Sequence, residues 1–91
     1  MTFVSEFHPK AKKFIDSLDK TTRNRILDAV NKLEIDPFPR GCIKIEGSIS
    51  GYESEKIFRT RVGDYRILYV IKPEERRLIF VRIDKRGRAY K

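Results

Sequence analysis

The stretch FRTRVGDYRILY, residues 58–69, carries Arg59, Arg61 and Arg66, and the chain closes on KRGRAYK, where Lys85, Arg86 and Arg88 precede Tyr90. Guanidinium forks match phosphate oxygens two at a time. Tyrosine rings such as Tyr65, Tyr69 and Tyr90 stack on unpaired bases. By residue type this is a phosphate site, and physically a site for single-stranded RNA. On composition and spacing alone, a plain binding module and a nuclease stand equal.

The charge supports a polyanionic partner. The 91 residues hold 21 Lys and Arg against 13 Asp and Glu, a net of +8. Residues 1–50 carry a net of +2 and residues 51–91 a net of +6, so the excess gathers in the half that holds the arginines. An excess of this kind suggests nucleic acid, an acidic protein segment or a membrane surface.

Other chemistries find little support. A single histidine, His8, gives no Ser-His-Asp or Cys-His arrangement, and beside a helix start it reads as a cap or surface residue. One Cys and one His cannot supply a structural zinc site, so neither metal nor cofactor is expected. Acids such as Asp16, Asp28, Glu74 and Glu75 fall in helices and turns, where solvation explains them. The glycines are scattered and make no phosphate loop. Lone Cys42 excludes an internal disulfide and fits a reducing cytoplasm, the expected location. No apolar run approaches the roughly 20 residues that cross a bilayer, and MTFVSEFHPKAKK does not read as a signal peptide.

The elements that must position the cations follow from periodicity. Ninety-one residues make one domain, 1–91. TFVSE reads as an edge strand. Pro9 suits a first helical position, and Ala11, Phe14, Ile15 and Leu18 line one helical face. A second helix runs from about Lys20 or Thr22 to Leu33, with Ile26, Ala29, Val30 and Leu33 as its stripe. DPFPRG stops it. Period two then sets in: CIKIEG, Lys56–Val62, Tyr65–Ile71 and Arg77 to about Lys85 read as strands of an antiparallel meander. The expected architecture is α+β, in the order β-α-α-β-β-β-β, with two helices on one face of a twisted antiparallel sheet. In the last strand, Ile79, Val81 and Ile83 are expected on one face, with Leu78, Phe80 and Arg82 on the other. The cations near strand ends are expected to meet in a basic concavity at the sheet's rim.

The hairpin FRTRVGDYRILY and the tail VRIDKRGRAY resemble the RelE/ParE toxin superfamily of toxin–antitoxin systems. That family carries a hydrophobic-R-x-R-x-G-x-Y-R-hydrophobic hairpin and a basic tail ending in tyrosine. The order of helices and strands is similar over nearly the whole chain. In that superfamily RelE-like members are RNases that cut mRNA on the ribosome, and ParE-like members poison DNA gyrase. The resemblance implies a RelE-like mRNA interferase, a cytoplasmic toxin held by a small RelB-like antitoxin. The rival readings are a gyrase-directed toxin and a non-catalytic RNA- or ribosome-binding domain.

By position, the resemblance assigns Arg59 to a phosphate-binding place, Arg66 to the scissile phosphate, Arg86 to the last-strand arginine and Tyr90 to the tyrosine that stacks on the substrate base. Arg40, Lys44, Lys56, Arg61, Lys85 and Arg88 are the further RNA-binding candidates. Ile57 stands where some relatives have lysine. The implied reaction is attack of a 2′-hydroxyl on the adjacent phosphate with loss of the 5′-oxygen. Arginine keeps its proton at ordinary pH, so Arg59 and Arg66 would stabilise charge, and a base would be Lys56, Lys85 or Tyr90.

Overall fold

A computed structural model describes residues 2–85. Its elements are β1 (Val4–Phe7), α1 (Pro9–Asp16), α2 (Lys20–Ile35), β2 (Ile43–Lys44), β3 (Ile57–Val62), β4 (Tyr65–Lys72) and β5 (Arg77–Lys85), with a single 3-10 turn at Pro73–Glu75.

The helices start and stop where side chains satisfy their ends. Pro9 opens α1, and His8 caps it by accepting a hydrogen bond at Nδ1 from the Lys10 amide, 3.1 Å away. Asp19 caps α2 through the Thr22 amide at 3.2 Å, and hydrogen bonding to the Thr22 side chain and then its amide lowers the carboxyl's pKa. Between the helices, Arg23 reaches back to the final carbonyls of α1 and the turn, donating to Ile15 O at 3.3 Å and Leu18 O at 2.8 Å. Helix α2 ends at Ile35 because Asp36 precedes Pro37 and is driven to extended backbone, φ −137° and ψ 97°.

The sheet order is β1-β5-β4-β3-β2. Three of its pairings are antiparallel as expected, but β1 lies parallel to β5, with Val4 opposite Arg77 and Phe7 opposite Phe80. The two helices carry the chain from β1 across one sheet face. There Ala11, Ile15, Ile26, Val30 and Leu33 pack on Ile67, Tyr69, Leu78, Phe80 and Ile83. These are the stripes that helical spacing marked, with Phe14 and Leu18 half-buried at their margin.

The opposite face is also apolar in its middle: Ile57, Leu68, Val70, Ile79 and Val81 form a second cluster. No helix covers it. The connection between β2 and β3 folds over it instead, bringing Ile45, Ile49 and Tyr52 into contact. This cover is why the strand expected at CIKIEG is cut to Ile43–Lys44. After the Ile45 amide bonds Ile57 O at 2.9 Å, the chain leaves the sheet.

A bulge corrects the expected facing of β5. Leu68 pairs with Arg82 and Tyr69 with Phe80, so Val81 has no opposite number. One extra residue reverses the alternation beyond it. Ile83 therefore joins Leu78 and Phe80 beneath the helices, and Arg82 comes to the other face, opposite Leu68.

Candidate nucleic-acid interface

The hairpin β3–β4 turns through Gly63–Asp64, and Gly63 has a φ of 58° that favours glycine. A Cβ there would also lie 2.7 Å from Arg25 Nη2. This tight turn fixes the register: Arg59 opposite Leu68, Thr60 opposite Ile67, Arg61 opposite Arg66. Alternation does the rest. Ile57 is buried in the second cluster, so Arg59 and Arg61 emerge on that same face. Arg66 and Leu68 share it on β4, and the bulge brings Arg82 to it from β5.

Two cross-strand rows result. One runs Arg59–Leu68–Arg82 and the next Arg61–Arg66–Asp84. Four guanidinium groups thus stand on one patch of sheet with one carboxylate in their rows, that of Asp84. Its Oδ2 lies 4.0 Å from Arg82 Nε, at the limit of an ion pair. Arg61 and Arg82 are exposed on it, and Arg59 and Arg66 are half-buried.

The cations at the far end of the same face are treated differently. Lys72 Nζ is 2.5 Å from Glu55, which raises the lysine's pKa. Arg77 holds both oxygens of Glu6 at 2.8 Å and also bonds Glu75, so its pKa rises while that of Glu6 falls. Charge there is compensated within the fold. At the arginine end, the Nε atoms of Arg59 and Arg66 are both shut off from solvent, and that of Arg59 has no hydrogen-bond partner among the described residues. Buried donors are nearly always paired.

Register separates the remaining candidates from this patch. Lys44 lies opposite Phe58 and Lys85 opposite Tyr65, both of which pack toward the helices, so the two lysines belong to the helix-side face. Lys56 precedes buried Ile57 and lines a separate hollow with Phe38, Phe58 and Ile71. Arg40 is exposed in the turn before β2. Arg86, Arg88 and Tyr90 lie outside the described residues. Arg82 was not among the candidates: periodicity without the bulge assigns it to the other face. The nearest sequence signal was its place in VRIDKR, one step from a strand end.

Tyr69, a candidate for base stacking by residue type, is fully buried. Its hydroxyl donates to Pro37 O at 2.8 Å and stands 3.1 Å from Cys42 Sγ. Burial, with the Cys42 thiol second, pushes its pKa well above the ordinary range. It pins the DPFPRG turn to the sheet. Beside β3, which β2 covers only opposite Phe58 and Arg59, a hollow of about 390 Å3 opens toward α2, lined by Arg25, Asp28, Lys32, Leu33, Arg61 and Val62. Among the described residues, no helix is long and apolar enough to cross a membrane.

Known proteins share this arrangement. The chain is 28% identical to the RelE1 protein of Methanocaldococcus jannaschii over 91 residues, all of this chain and 98% of that one. The RelE–RelB complex of Pyrococcus horikoshii superposes on it with a TM-score of 0.78 at 32% identity, covering 97% of this chain and 99% of the other. At 23% identity the RelBE2 toxin–antitoxin complex of Mycobacterium tuberculosis shares the fold, with a TM-score of 0.75 over 94% of this chain and the whole of that one. The family model described as ParE toxin of the type II toxin–antitoxin system parDE matches residues 5–90. Several of the solved structures that share its fold contain RelE toxins, and the chain belongs to the ParE toxin family of type II toxin–antitoxin systems, within the RelE/ParE superfamily.

Proposed function

We propose that this toxin is a RelE-like endoribonuclease that cleaves mRNA on the ribosome. The observation that carries the reading is the arginine patch on three neighbouring strands, with the buried and unmet Nε–H of Arg59 on β3. Three steps of chemistry follow from it. Arg59, Arg61 and Arg66 hold the RNA backbone by paired N–H bonds to phosphate oxygens. The 2′-hydroxyl attacks the adjacent phosphorus: the O2′–P bond forms and the P–O5′ bond breaks, the 2′-hydroxyl proton passes to solvent water, and the departing 5′-oxygen takes a proton from solvent. The guanidinium groups stabilise the charge that gathers on the phosphoryl oxygens, each donor being worth about 2.7–4 kcal/mol by analogy with an oxyanion hole.

Arginine does not take the 2′-hydroxyl proton. Register turns Lys44 and Lys85 to the other face and leaves Lys56 apart, and Ile57 is core. Cleavage with a poorly supplied base depends on geometry imposed from outside. A ribosome that bends the mRNA toward in-line attack supplies that geometry.

The partner is a small antitoxin, as the RelE–RelB pairing of the P. horikoshii relative suggests. An acidic or amphipathic segment laid on the sheet or helix pair would neutralise Arg66 and Arg86 and silence the toxin. The neighbouring open reading frame should encode it.

Primer extension on mRNA after expression tests the reading. Cuts in codon register support it, and they should persist in vitro in EDTA with the ribosome held intact. The match to a model described as ParE favours one rival, inhibition of DNA gyrase. DNA damage without RNA cuts would establish that rival, and neither effect would leave a binding module.

A further inference from the structure

The bulge in β5 has a consequence for the substrate. Had β5 run without it, Arg82 would lie under the helices, where a charged group cannot be accommodated. With it, Arg82 stands opposite Leu68, and Arg59 stands opposite Leu68 from the other side. The two arginines therefore straddle one buried leucine, whose relative exposure is 5%. Adjacent strands lie about 4.8 Å apart, so the Arg59 and Arg82 backbones are separated by roughly 10 Å. Arg66 is two residues further along β4, about 8 Å from each by the same spacings. Three arginines on three neighbouring strands thus form a triangle around an apolar floor.

We propose that Arg59 and Arg82 form a second phosphate subsite, which grips the RNA backbone phosphate next to the one held at Arg66. The proposal rests on the RNA-cleaving reading of the patch. Arg82 is placed as a positioning residue: it fixes the strand so that the neighbouring phosphate meets Arg66, without itself acting on the reacting atoms.

Two observations favour a phosphate here over a surface ion pair. Arg59 Nε is buried and lacks a partner among the described residues, which calls for an incoming acceptor. Arg82 has only a loose pairing with Asp84, at 4.0 Å, and its side chain is half exposed, at 52%. Compare Arg77, on the same strand and the same face, which is clamped by Glu6 through two bonds of 2.8 Å. Asp84 stands opposite Arg66 and two residues from Arg82 on β5, so it offsets part of the positive charge at that corner of the patch.

The test is binding and cleavage by Arg82→Ala and Arg82→Lys, beside Lys13→Ala as a control for lost charge on an exposed face of α1. The binding probe is a single-stranded RNA of about 12 nucleotides, within the span such grooves cover, blocked against cleavage by 2′-O-methyl groups and titrated at several salt concentrations. Arg82→Ala should bind about tenfold more weakly, with the slope of log K against log salt reduced by about 0.7. Arg82→Lys should keep the slope and lose part of the affinity, since lysine offers a point charge and no fork. In ribosome-dependent cleavage the loss should fall mainly on KM. Thermal unfolding of Arg82→Ala should stay close to that of the parent protein.

Equal weakening by Arg82→Ala and Lys13→Ala would overturn the subsite in favour of bulk charge. So would an unchanged slope, or a loss confined to kcat. Should the parent protein bind RNA with this Arg82 dependence but cut no mRNA, the subsite stands and the nuclease reading fails. Should it cut mRNA with Arg82 irrelevant to binding, the nuclease reading stands and the subsite fails. A parent protein that does neither removes both.

Discussion

Arg61 and Arg66 face each other across the β3–β4 pair, where like charges directly opposite are destabilising. Asp84, opposite Arg66 on β5, offsets part of that repulsion within the fold, and the proposed RNA phosphate would offset more. Arg66→Ala should therefore lower mRNA cleavage on the order of 100-fold or more, by analogy with the loss of one oxyanion donor. Its stability cost should be small, because the change relieves repulsion as well as removing contacts. Arg76→Ala removes the same charge from an exposed turn outside the patch and serves as the control. Equal losses in the two would show that bulk charge, not a placed group, is responsible, and an unfolded Arg66→Ala would make Arg66 structural. Tyr69 is the opposite kind of residue, polar but wholly internal. Tyr69→Phe should cost about 1–2 kcal/mol by stranding the Pro37 carbonyl and the Cys42 thiol. The sign of its pH dependence follows from its raised pKa. The neutral phenol contributes fully below its ordinary value of about 10 and the contribution fades as pH rises beyond it. Chemical denaturation at pH 7 and above pH 10 should show the parent losing stability over that span, and Tyr69→Phe losing less.

Among the elements, the connection of α1 to α2 depends on one side chain. Arg23 donates to the Leu18 carbonyl in the turn and joins the Leu18 amide on the Ile15 carbonyl at the end of α1. Arg23→Ala should destabilise the protein by about 1–2 kcal/mol, measured by urea unfolding, while leaving the RNA affinity of the sheet face intact. A fall in affinity as large as that of Arg59→Ala would place the RNA footprint on the helices instead. The elements also show where the sequence was legible. The stripes Ala11–Ile15 and Ile26–Val30–Leu33, and the hairpin around Gly63, are local patterns that a few neighbours decide. They appeared where periodicity put them, and with them Arg59, Arg61 and Arg66 on one face. The parallel seat of β1 on β5, the loop over Ile57 and Val70, and the bulge at Val81 are decided by residues far apart in the chain. No window of the sequence contains both sides of those contacts. Arg82 was missed because its facing depends on the bulge. Lys44 and Lys85 were grouped with the arginines because charge carries no information on facing.

At the scale of the molecule, the second sheet face divides into an end closed by tight ion pairs and an end where four arginines gather around Asp84. The pairs Glu6–Arg77 and Glu55–Lys72 secure the first, and the arginine rows hold the second. The two ends should therefore answer pH differently. Glu6 has its pKa lowered by its hydrogen bonds to Arg77. A carboxyl lowered in the folded state contributes fully above its unfolded value, about 4.3, and the contribution is lost as pH falls through the folded value. Acid should thus loosen the β1–β5 edge first, while the arginines keep their charge throughout. Amide exchange compared at pH 7 and near pH 3, after correction for intrinsic rates, should show protection lost at Val4–Phe7 before Tyr65–Val70. Glu6→Gln should weaken the edge already at pH 7 and flatten the further loss on acidification. If acid instead opened the β3–β4 hairpin first, or Glu6→Gln left the acid limb unchanged, the edge would be held by its backbone ladder and the division of labour along this face would be wrong. The expected result means that the arginine end stays charged and ordered while the far edge yields.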